Sequence, residues 1–319
     1  MQISETVTVE KVIFKRVLKL MGNRFEISVV AGEGDEAFAG KCMESAISEI
    51  QRIERLLTTF DESSQTNLIN RNAGITPVKV DKEVIDLISR SKRISEITQG
   101  AFDISYGAID KRLWNFDKDM TTLPDRETAR LLVKHINYKN ILINDDAQTV
   151  FLKDKGMRIG FGGIGKGYAA ERAKDVLQKN GVESGIVNAA GDLTTWGYQP
   201  GGKPWTIGIA NPDKVRDAFS WMNITDMSVA TSGNYEKFVV INGKKYSHTI
   251  DPRTGLPVQG IKSVTIISPN AEIADAMATP VMVMGIRTGL NMINQIKGIG
   301  CIIVDELDTI HTSTNINIL

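Results

Sequence analysis

Cysteine and long apolar runs are scarce in this sequence, and each scarcity excludes a class of protein. The two cysteines, Cys42 and Cys301, lie far apart and form no Cys-x-x-Cys or Cys/His cluster. A disulfide framework and a zinc site are therefore not supported. No apolar run approaches the length of a membrane-spanning helix, and the first residues lack the features of a signal peptide. As the sequence stands we expect a cytoplasmic protein, unless a leader has been removed.

An excess of charge of one sign is also missing. Lys plus Arg and Asp plus Glu number 38 each, and no basic block occurs. Nothing electrostatic therefore predicts a nucleic-acid partner or an anionic membrane surface. With 319 residues and 42% hydrophobic content, the chain can bury a large core. We expect a single domain over 1–319, or two closely packed lobes.

Strand and helix patterns follow one another along the chain. Residues 7–20 and 25–30 read as strands around a turn-like break at 21–23, which predicts an N-terminal hairpin. Apolar residues recur every three or four positions from 35 to 60, so we predict a long amphipathic helix there. Residues 61–67 are polar and are interpreted as a loop. Further predicted strands are 141–144, 149–152, 185–188, 193–196, 205–210, 218–224, 228–231, 238–241, 245–250, 263–268 and 301–304, and further predicted helices are 81–97, 166–180, 271–284 and 288–296.

The order of these patterns indicates the fold class. Asp81 is a good N-cap for the second helix, and Asn242-Gly243 is the strongest hairpin signal in the sequence. Strands and helices do not alternate as regular β-α units. We therefore predict an α+β fold rather than a doubly wound one.

A glycine-rich stretch from Arg158 to Arg172 is the first candidate site. Five of its first ten residues are glycine, and it opens directly into the predicted helix at 166–180. Glycines let the main chain approach an anion closely, and the first N–H groups of a helix then bind it. The stretch therefore predicts a cradle for phosphate.

Three interpretations of the stretch remain open on its residues alone. Gly160, Gly162 and Gly165 fit the dinucleotide pattern G-x-G-x-x-G, but no acid follows at the expected distance, since Asp192 comes too late. A Walker A loop needs Ser or Thr after its lysine, and here Gly167 follows. A glycine-rich turn before a helix, without a ligand, is the third interpretation.

The segment from Ser247 to Gly255 is the second candidate site. It contains a histidine, an acid and an arginine around a Pro/Gly turn, next to the predicted 238–250 hairpin. His248 is a candidate general base for a substrate hydroxyl, and a purely structural histidine is the alternative. Asp251 and Thr254 could equally be turn-capping groups.

Asp275 and Thr279 form the third candidate site. They are four residues apart in a predicted helix of small and apolar residues, so both oxygens project from one face. Hard oxygen ligands of this kind suit magnesium, which takes its other ligands from water, phosphates and backbone carbonyls. The alternative is an N-cap Asp and a Thr bonded back along its helix. With the glycine cradle, its lysine and a base, a magnesium site would suffice for phosphoryl transfer.

Together these motifs carry a resemblance to a known family. The pair His-x-x-Asp-Pro-Arg-Thr-Gly and Ala-Asp-Ala-x-Ala-Thr, at 248–255 and 274–279, is highly specific. The matching stretches are Met21-Gly22, Thr58-Thr59-Phe60 with Asn70, Gly100 to Ser105, Trp114-Asn115-Phe116, Gly162 to Tyr168, Asn188 to Asp192, Ala230 to Tyr235, Ser247 to Gly255 and Ala274 to Thr279. The chain resembles the ApbE family of flavin transferases, the FAD:protein FMN transferases.

The resemblance implies a fold, an activity and partners. It implies a T-fold-like α+β architecture with mixed or antiparallel sheets and packed helices. It also implies that FAD is bound with Mg²⁺, that the pyrophosphate is cleaved, and that FMN passes to a Thr or Ser of a partner flavoprotein as AMP leaves. The modified segment in such partners looks like D-G-x-[ST]-G-[AS]-T. Many relatives are exported, so a periplasmic or membrane-anchored lipoprotein is the alternative location.

The resemblance also assigns residues by position. His248 would be the base on the acceptor hydroxyl. Asp275, Thr279 and the backbone carbonyl of Gly163 would bind magnesium. The residues that would line the FAD site are Met21, Phe60, Ala101, Phe102, Asp103, Lys166 and Ile250.

The chain departs from the family pattern in two stretches. In the first, Gly160 stands where an aspartate near the flavin is usual and Gly165 where an alanine is usual; in the second, Ala190 stands where a glycine is usual. Two other functions stay open. One is a magnesium-dependent FAD pyrophosphatase that releases FMN and AMP, and the other is a flavin-binding protein without turnover.

Overall fold

The structure is a computed structural model that describes residues 10–109, 122–210, 218–234 and 238–316. Two motifs named above, Trp114-Asn115-Phe116 and Tyr235, lie outside the described residues. The helices are α1 (Glu36–Leu57), α2 (Gln65–Arg71), α3 (Lys82–Ile97), α4 (Arg126–Leu132), α5 (Gly165–Lys179), α6 (Ala271–Met284) and α7 (Ile286–Ile293). The strands are β1 (Lys11–Leu20), β2 (Asn23–Gly32), β3 (Val78–Lys79), β4 (Ile141–Asn144), β5 (Thr149–Leu152), β6 (Gly185–Ala189), β7 (Asp192–Trp196), β8 (Trp205–Ala210), β9 (Ala218–Ile224), β10 (Ser228–Gly233), β11 (Phe238–Ile241), β12 (Lys244–Ser247), β13 (Ile261–Ser268), β14 (Gly300–Asp305) and β15 (Ile310–Thr312).

An eight-stranded sheet forms the centre of the described part of the chain, in the order β1-β2-β6-β7-β10-β13-β14-β15. Each neighbouring pair in it is antiparallel. Smaller sheets are formed by β3-β5-β4, by β8-β9 and by β11-β12. The predicted α+β class is confirmed.

Both faces of the central strands β7, β13 and β14 are buried, because these strands carry apolar side chains on both sides. Ile266 and Ile303 belong to the larger core with the helices, whereas their neighbours Ile267 and Ile302 belong to a second core. The β8-β9 hairpin contributes Trp205 and other side chains to that second core. The polar site described below lies on the helix side, where α5 and α6 meet the strands.

The helix side is packed through small residues. Helix α5 buries Ala169, Ala170 and Ala173, and helix α6 buries Ala274 and Ala278. Small side chains let two helix backbones approach closely and bring both helices against the strands. Polar groups at the start of α5 thereby reach the middle of α6.

Several local predictions are wrong in detail. Helix α2 begins at Gln65, inside the segment interpreted as a loop, and Ser64 caps it by accepting the N–H of Asn67. Asp81 occupies the N-cap position of α3 but makes no capping bond with its side chain. Helix α1 ends at Leu57, since Thr58 is extended, so Phe60 lies beyond the helix. Periodicity misses these ends because it locates a helix end only to within a few residues, and because a helix of seven residues such as α2 is too short to show a period.

The turn between β6 and β7 carries strain that a glycine would relieve. Ala190 has a φ of 55° and Gly191 a φ of 102°. We expect Ala190→Gly to raise the free energy of unfolding by about 0.5 kcal/mol, because the left-handed region is costly for alanine and the gain is partly offset by chain entropy. Urea denaturation measures it. As a control, Ala189→Gly in strand β6 should lower the stability instead, and stabilisation by both changes would contradict the turn geometry.

Within the described ranges no helix combines the length and the apolar character that crossing a membrane requires.

Candidate active site

The glycine-rich stretch is fixed in place by hydrogen bonds to the backbone of its first residues. The side-chain amide of Asn70 donates to the carbonyl of Ile159 at 3.0 Å and accepts the N–H of the same residue at 2.7 Å. The N–H of Gly160 donates to the carbonyl of Ile104 at 2.9 Å. The stretch therefore enters α5 along a defined path, and Asn70 has a structural role in that path.

Gly167 lies at a close contact between α5 and α6. A Cβ atom at this position would lie 2.2 Å from the carbonyl oxygen of Ala271 and 2.7 Å from Cβ of Asp275. Its N–H donates to Oδ2 of Asp275 at 2.9 Å. Close packing against α6 therefore explains why this position, where a Walker A loop needs Ser or Thr, is a glycine. Since the loop also follows a small sheet of antiparallel strands, the dinucleotide-binding fold is excluded as well.

Two buried carboxylates and one lysine meet at this contact. The ammonium of Lys166 is ion-paired with Asp192 at the start of β7 and lies 3.6 Å from Oδ1 of Asp275. Asp192 and Asp275 are only 4% and 6% exposed. Two buried acids beside one lysine leave an excess of negative charge, which favours a further cation.

The environment of Asp192 shifts its titration. Burial and the neighbouring charge of Asp275 raise the pKa of the Asp192 carboxyl to about 7, against the opposing effect of Lys166 and of the Thr231 N–H. This direction is expected for two carboxyl groups that share one desolvated space. A cation bound between them would offset the charge of Asp275 but not the effect of burial.

Thr279 completes the polar face of α6. Its hydroxyl is hydrogen-bonded to that of Ser232 on β10 at 3.1 Å. Asn270 is the N-cap of α6, so Asp275 lies within the helix and is not a cap. The capping alternative for Asp275 is therefore wrong. The other alternative was a Thr279 hydroxyl bonded back along its helix. It is not supported, since the hydroxyl bonds across to the sheet.

The donors at this point fit a magnesium ion. Oδ1 of Asp275 and the hydroxyl of Thr279 are hard oxygen ligands on one helix face, with Asp192 close by. Within the described residues no group of three or more His, Cys, Asp or Glu side chains could hold a metal. Magnesium does not need such a cage, because it keeps waters and takes substrate phosphates as ligands. Gly163, whose carbonyl is the third predicted ligand, is half-buried in the glycine-rich stretch.

Some predicted flavin-site residues lie directly against the stretch. A Cβ atom at Gly163 would be 3.5 Å from the ring of Phe102, and one at Gly165 would be 3.7 Å from Cε of Met21. Ala101, just before this ring, is buried. Phe60 is 96% exposed, which is unusual for so large an apolar ring. Its ring is therefore open to a ligand.

The carboxylate of Asp103 is hydrogen-bonded within the protein. One carboxylate oxygen accepts the N–H and the hydroxyl of Ser105, and the other accepts the N–H of Tyr138 at 2.8 Å. Burial raises the pKa of this carboxyl above its usual range. Its side chain shapes the loop that carries Phe102 and Ile104.

The His248 segment packs against the same loop. His248 is half-buried, and Ile250 forms an isolated bridge with Pro257 and packs with Tyr106. Asp251 and Thr254 act within the turn: the carboxylate of Asp251 pairs with Arg253 at 2.9 Å, and the Thr254 hydroxyl accepts the N–H of Leu256. The turn interpretation of these two residues is therefore supported.

Asp192 and Ser232 are site residues that the sequence reasoning did not select. Asp192 appeared as an acid too distant for a dinucleotide fold and at the end of the matching stretch 188–192. Ser232 lay within the matching stretch 230–235, and neither residue was assigned a role. The available signal was a polar residue at the end of an apolar strand pattern, next to a turn. That signal identifies many capping residues too, so it does not single out a site.

Solved structures of this fold give the class of protein. A crystal structure of the ApbE protein from Thermotoga maritima superposes with a TM-score of 0.84 at 32% identity, over 95% of this chain and 97% of that one. The apo flavinyl transferase ApbE from Pseudomonas stutzeri gives 0.82 at 24% identity, over 96% of each chain. The fold is therefore that of the flavin transferases, as predicted.

Sequence comparison gives the family. The ApbE family model matches residues 21–303. An FAD:protein FMN transferase of Klebsiella pneumoniae is 32% identical over 85% of this chain and 83% of that relative. This chain belongs to the ApbE family. The predicted family and enzyme class, a transferase, are both confirmed.

Proposed function

We propose that this protein is a magnesium-dependent FAD:protein FMN transferase. It would cleave the pyrophosphate of FAD, attach FMN through a phosphoester bond to a Thr or Ser of a partner flavoprotein, and release AMP. The observation that carries the proposal is the meeting of Lys166 with Asp192 and Asp275 at the start of α5. A lysine and hard oxygen ligands beside a glycine-rich stretch suit a diphosphate with its metal ion.

The residues of the chain have distinct roles in this reaction. Lys166 pairs with phosphate oxygens of FAD, while Asp275, Thr279 and the carbonyl of Gly163 would hold Mg²⁺. A bound magnesium ion would neutralise negative charge as the pyrophosphate bond breaks. Met21, which lies against Gly165, is proposed to contact the flavin. The other residues proposed to line it are Phe60, Ala101, Phe102, Asp103 and Ile250.

The transfer step joins the acceptor oxygen to the phosphorus of the FMN phosphate. The bond from that phosphorus to the bridging oxygen breaks, and AMP leaves with this oxygen. His248 accepts the proton of the acceptor hydroxyl. The acceptor is proposed to carry a D-G-x-[ST]-G-[AS]-T-like segment.

Mass spectrometry tests the proposal directly. The protein is incubated with FAD, Mg²⁺ and an acceptor domain bearing such a segment. The expected result is an acceptor heavier by one FMN moiety, with one AMP released for each adduct. If AMP is released equally without the acceptor, the protein is an FAD pyrophosphatase. If FAD stays intact for hours, it is a flavin-binding protein without turnover.

His248→Asn is expected to lower the transfer rate by about a hundredfold or more, because a general base contributes this much to proton transfer. The measurement is the rate of adduct formation at saturating FAD. His311→Asn is the matched control, since His311 pairs with Asp305 at 2.9 Å next to the β14-β15 connection. Equal rates in the His248 variant and the wild type would remove His248 from the mechanism.

A further inference from the structure

Lys166 stands between two acids that belong to different elements. Its ammonium is paired with Asp192 of β7 and approaches Oδ1 of Asp275 on α6 to 3.6 Å. Oδ2 of Asp275 already accepts the N–H of Gly167 at 2.9 Å. Oδ1 is therefore the Asp275 oxygen that faces the lysine.

A divalent cation on Oδ1 would meet this ammonium. Magnesium binds carboxylate oxygens at about 2.1 Å, so the ion would lie within about 6 Å of Nζ as the lysine now stands. Like charges this close repel strongly when they are shielded from water. The side chains of Asp192 and Asp275 are 6% and 8% exposed and that of Lys166 is 27% exposed, so water screens the repulsion only in part.

We propose that Lys166 is the internal counter-ion of Asp192 and Asp275 in the ligand-free protein, and that it weakens cation binding until a diphosphate draws its ammonium away. The proposal rests on the proposed function, because it takes Asp275 as a metal ligand. Asp192 is then a positioning residue. Its carboxylate, which is ion-paired with Lys166, holds the ammonium at this place.

This arrangement couples two binding events. Phosphate oxygens compete with Asp192 for the ammonium, and its departure exposes Oδ1 of Asp275 to the cation. Each ligand therefore raises the affinity for the other by the same factor. In the free protein the single ammonium offsets part of the negative charge of the two carboxylates without a metal ion.

Titration of the protein with Mn²⁺ alone, followed by electron paramagnetic resonance, tests the proposal without FAD. We expect Lys166→Gln to bind Mn²⁺ at least about tenfold more tightly than the wild type, because a positive charge beside the ligand is gone. Lys166→Arg keeps the charge and should bind as weakly as the wild type. Lys166→Gln with wild-type affinity, or Lys166→Arg with the affinity of Lys166→Gln, would overturn it.

Two further variants locate the effect. Lys174 lies on the same helix and pairs with Glu171 at 3.0 Å, so Lys174→Gln removes an equal charge elsewhere and should change Mn²⁺ affinity by less than about twofold. Adding Asp275→Asn to Lys166→Gln should abolish the gain. If Lys174→Gln gains as much as Lys166→Gln, or the gain survives Asp275→Asn, the counter-ion role is wrong. Melting curves with and without Mn²⁺ give the same comparison for a variant of low stability.

FAD supplies the last arm of the experiment. In the wild type FAD should strengthen Mn²⁺ binding by at least about tenfold. In Lys166→Gln the factor should be smaller, because only direct metal–phosphate contact remains. Equal factors would contradict the proposal. A wild type that shows the counter-ion effect but forms no FMN adduct would instead refute the proposed transferase, so the two failures are distinguishable.

Discussion

Asp275→Asn is expected to lower the rate of FMN transfer by about a thousandfold, which corresponds to about 4 kcal/mol of charge stabilisation. The amide still offers an oxygen to the N–H of Gly167, whose bond to Asp275 measures 2.9 Å, so the packing of α5 on α6 should persist. The charge that attracts Mg²⁺ is lost. The measurement is adduct formation over a range of Mg²⁺ concentrations, together with flavin fluorescence to show that FAD still binds.

Asp175→Asn is the matched control for this change. Asp175 lies on α5, is 40% exposed and pairs with Arg172, so the same chemical change should leave the transfer rate within about twofold. If Asp275→Asn retains the wild-type rate, Asp275 does not hold the metal ion. The candidate magnesium site would then have to be abandoned.

Gly167→Ala is expected to lower the free energy of unfolding by about 3 kcal/mol or more. The added methyl would lie 2.2 Å from the carbonyl oxygen of Ala271, a backbone atom that cannot rotate away. Helices α5 and α6 must then separate, which weakens their packing and the bond from the Gly167 N–H to Asp275. Urea denaturation followed by circular dichroism measures the loss.

Gly162→Ala is the control within the same stretch. A Cβ atom there meets nothing within 4 Å, so the stability should change by less than about 0.5 kcal/mol. Equal midpoints for Gly167→Ala and the wild type would mean that the two helices are not so close. Such a result would also remove the packing reason for a glycine after Lys166.

Local patterns predicted most of the elements because helix and strand periodicities are properties of short segments. The helix predicted at 166–180 is α5, and the strand pair around Asn242-Gly243 is β11-β12. Segments of a few residues were missed, including α4, β3 and β15, since so few positions show no period. The end of α1 was placed too late, because apolar spacing continues to Phe60 after the backbone has left the helix at Thr58.

For a related reason, the sequence predicted the relative position of some site residues and not of others. Asp275 and Thr279 are four residues apart in one helix, so their shared face follows from the sequence. Phe102, Met21 and the glycine-rich stretch were linked only by resemblance to a family, and the structure brings them into proximity. Gly160 has ordinary space around it, with Thr59 Cγ2 3.8 Å from a Cβ there, so sterics do not explain its difference from the family.

The sequence by itself determined the α+β class, the glycine-rich entry to α5 and the shared face of Asp275 and Thr279 on α6, the proposed magnesium ligands. Only the tertiary structure decided that Lys166 meets Asp192, 26 residues away, and that Gly167 meets Asp275, 108 residues away. The strand order brings β7 next to β10, and small residues let α5 and α6 close over them. Such meetings depend on non-local strand pairing and helix packing, which the periodicity of one segment does not encode.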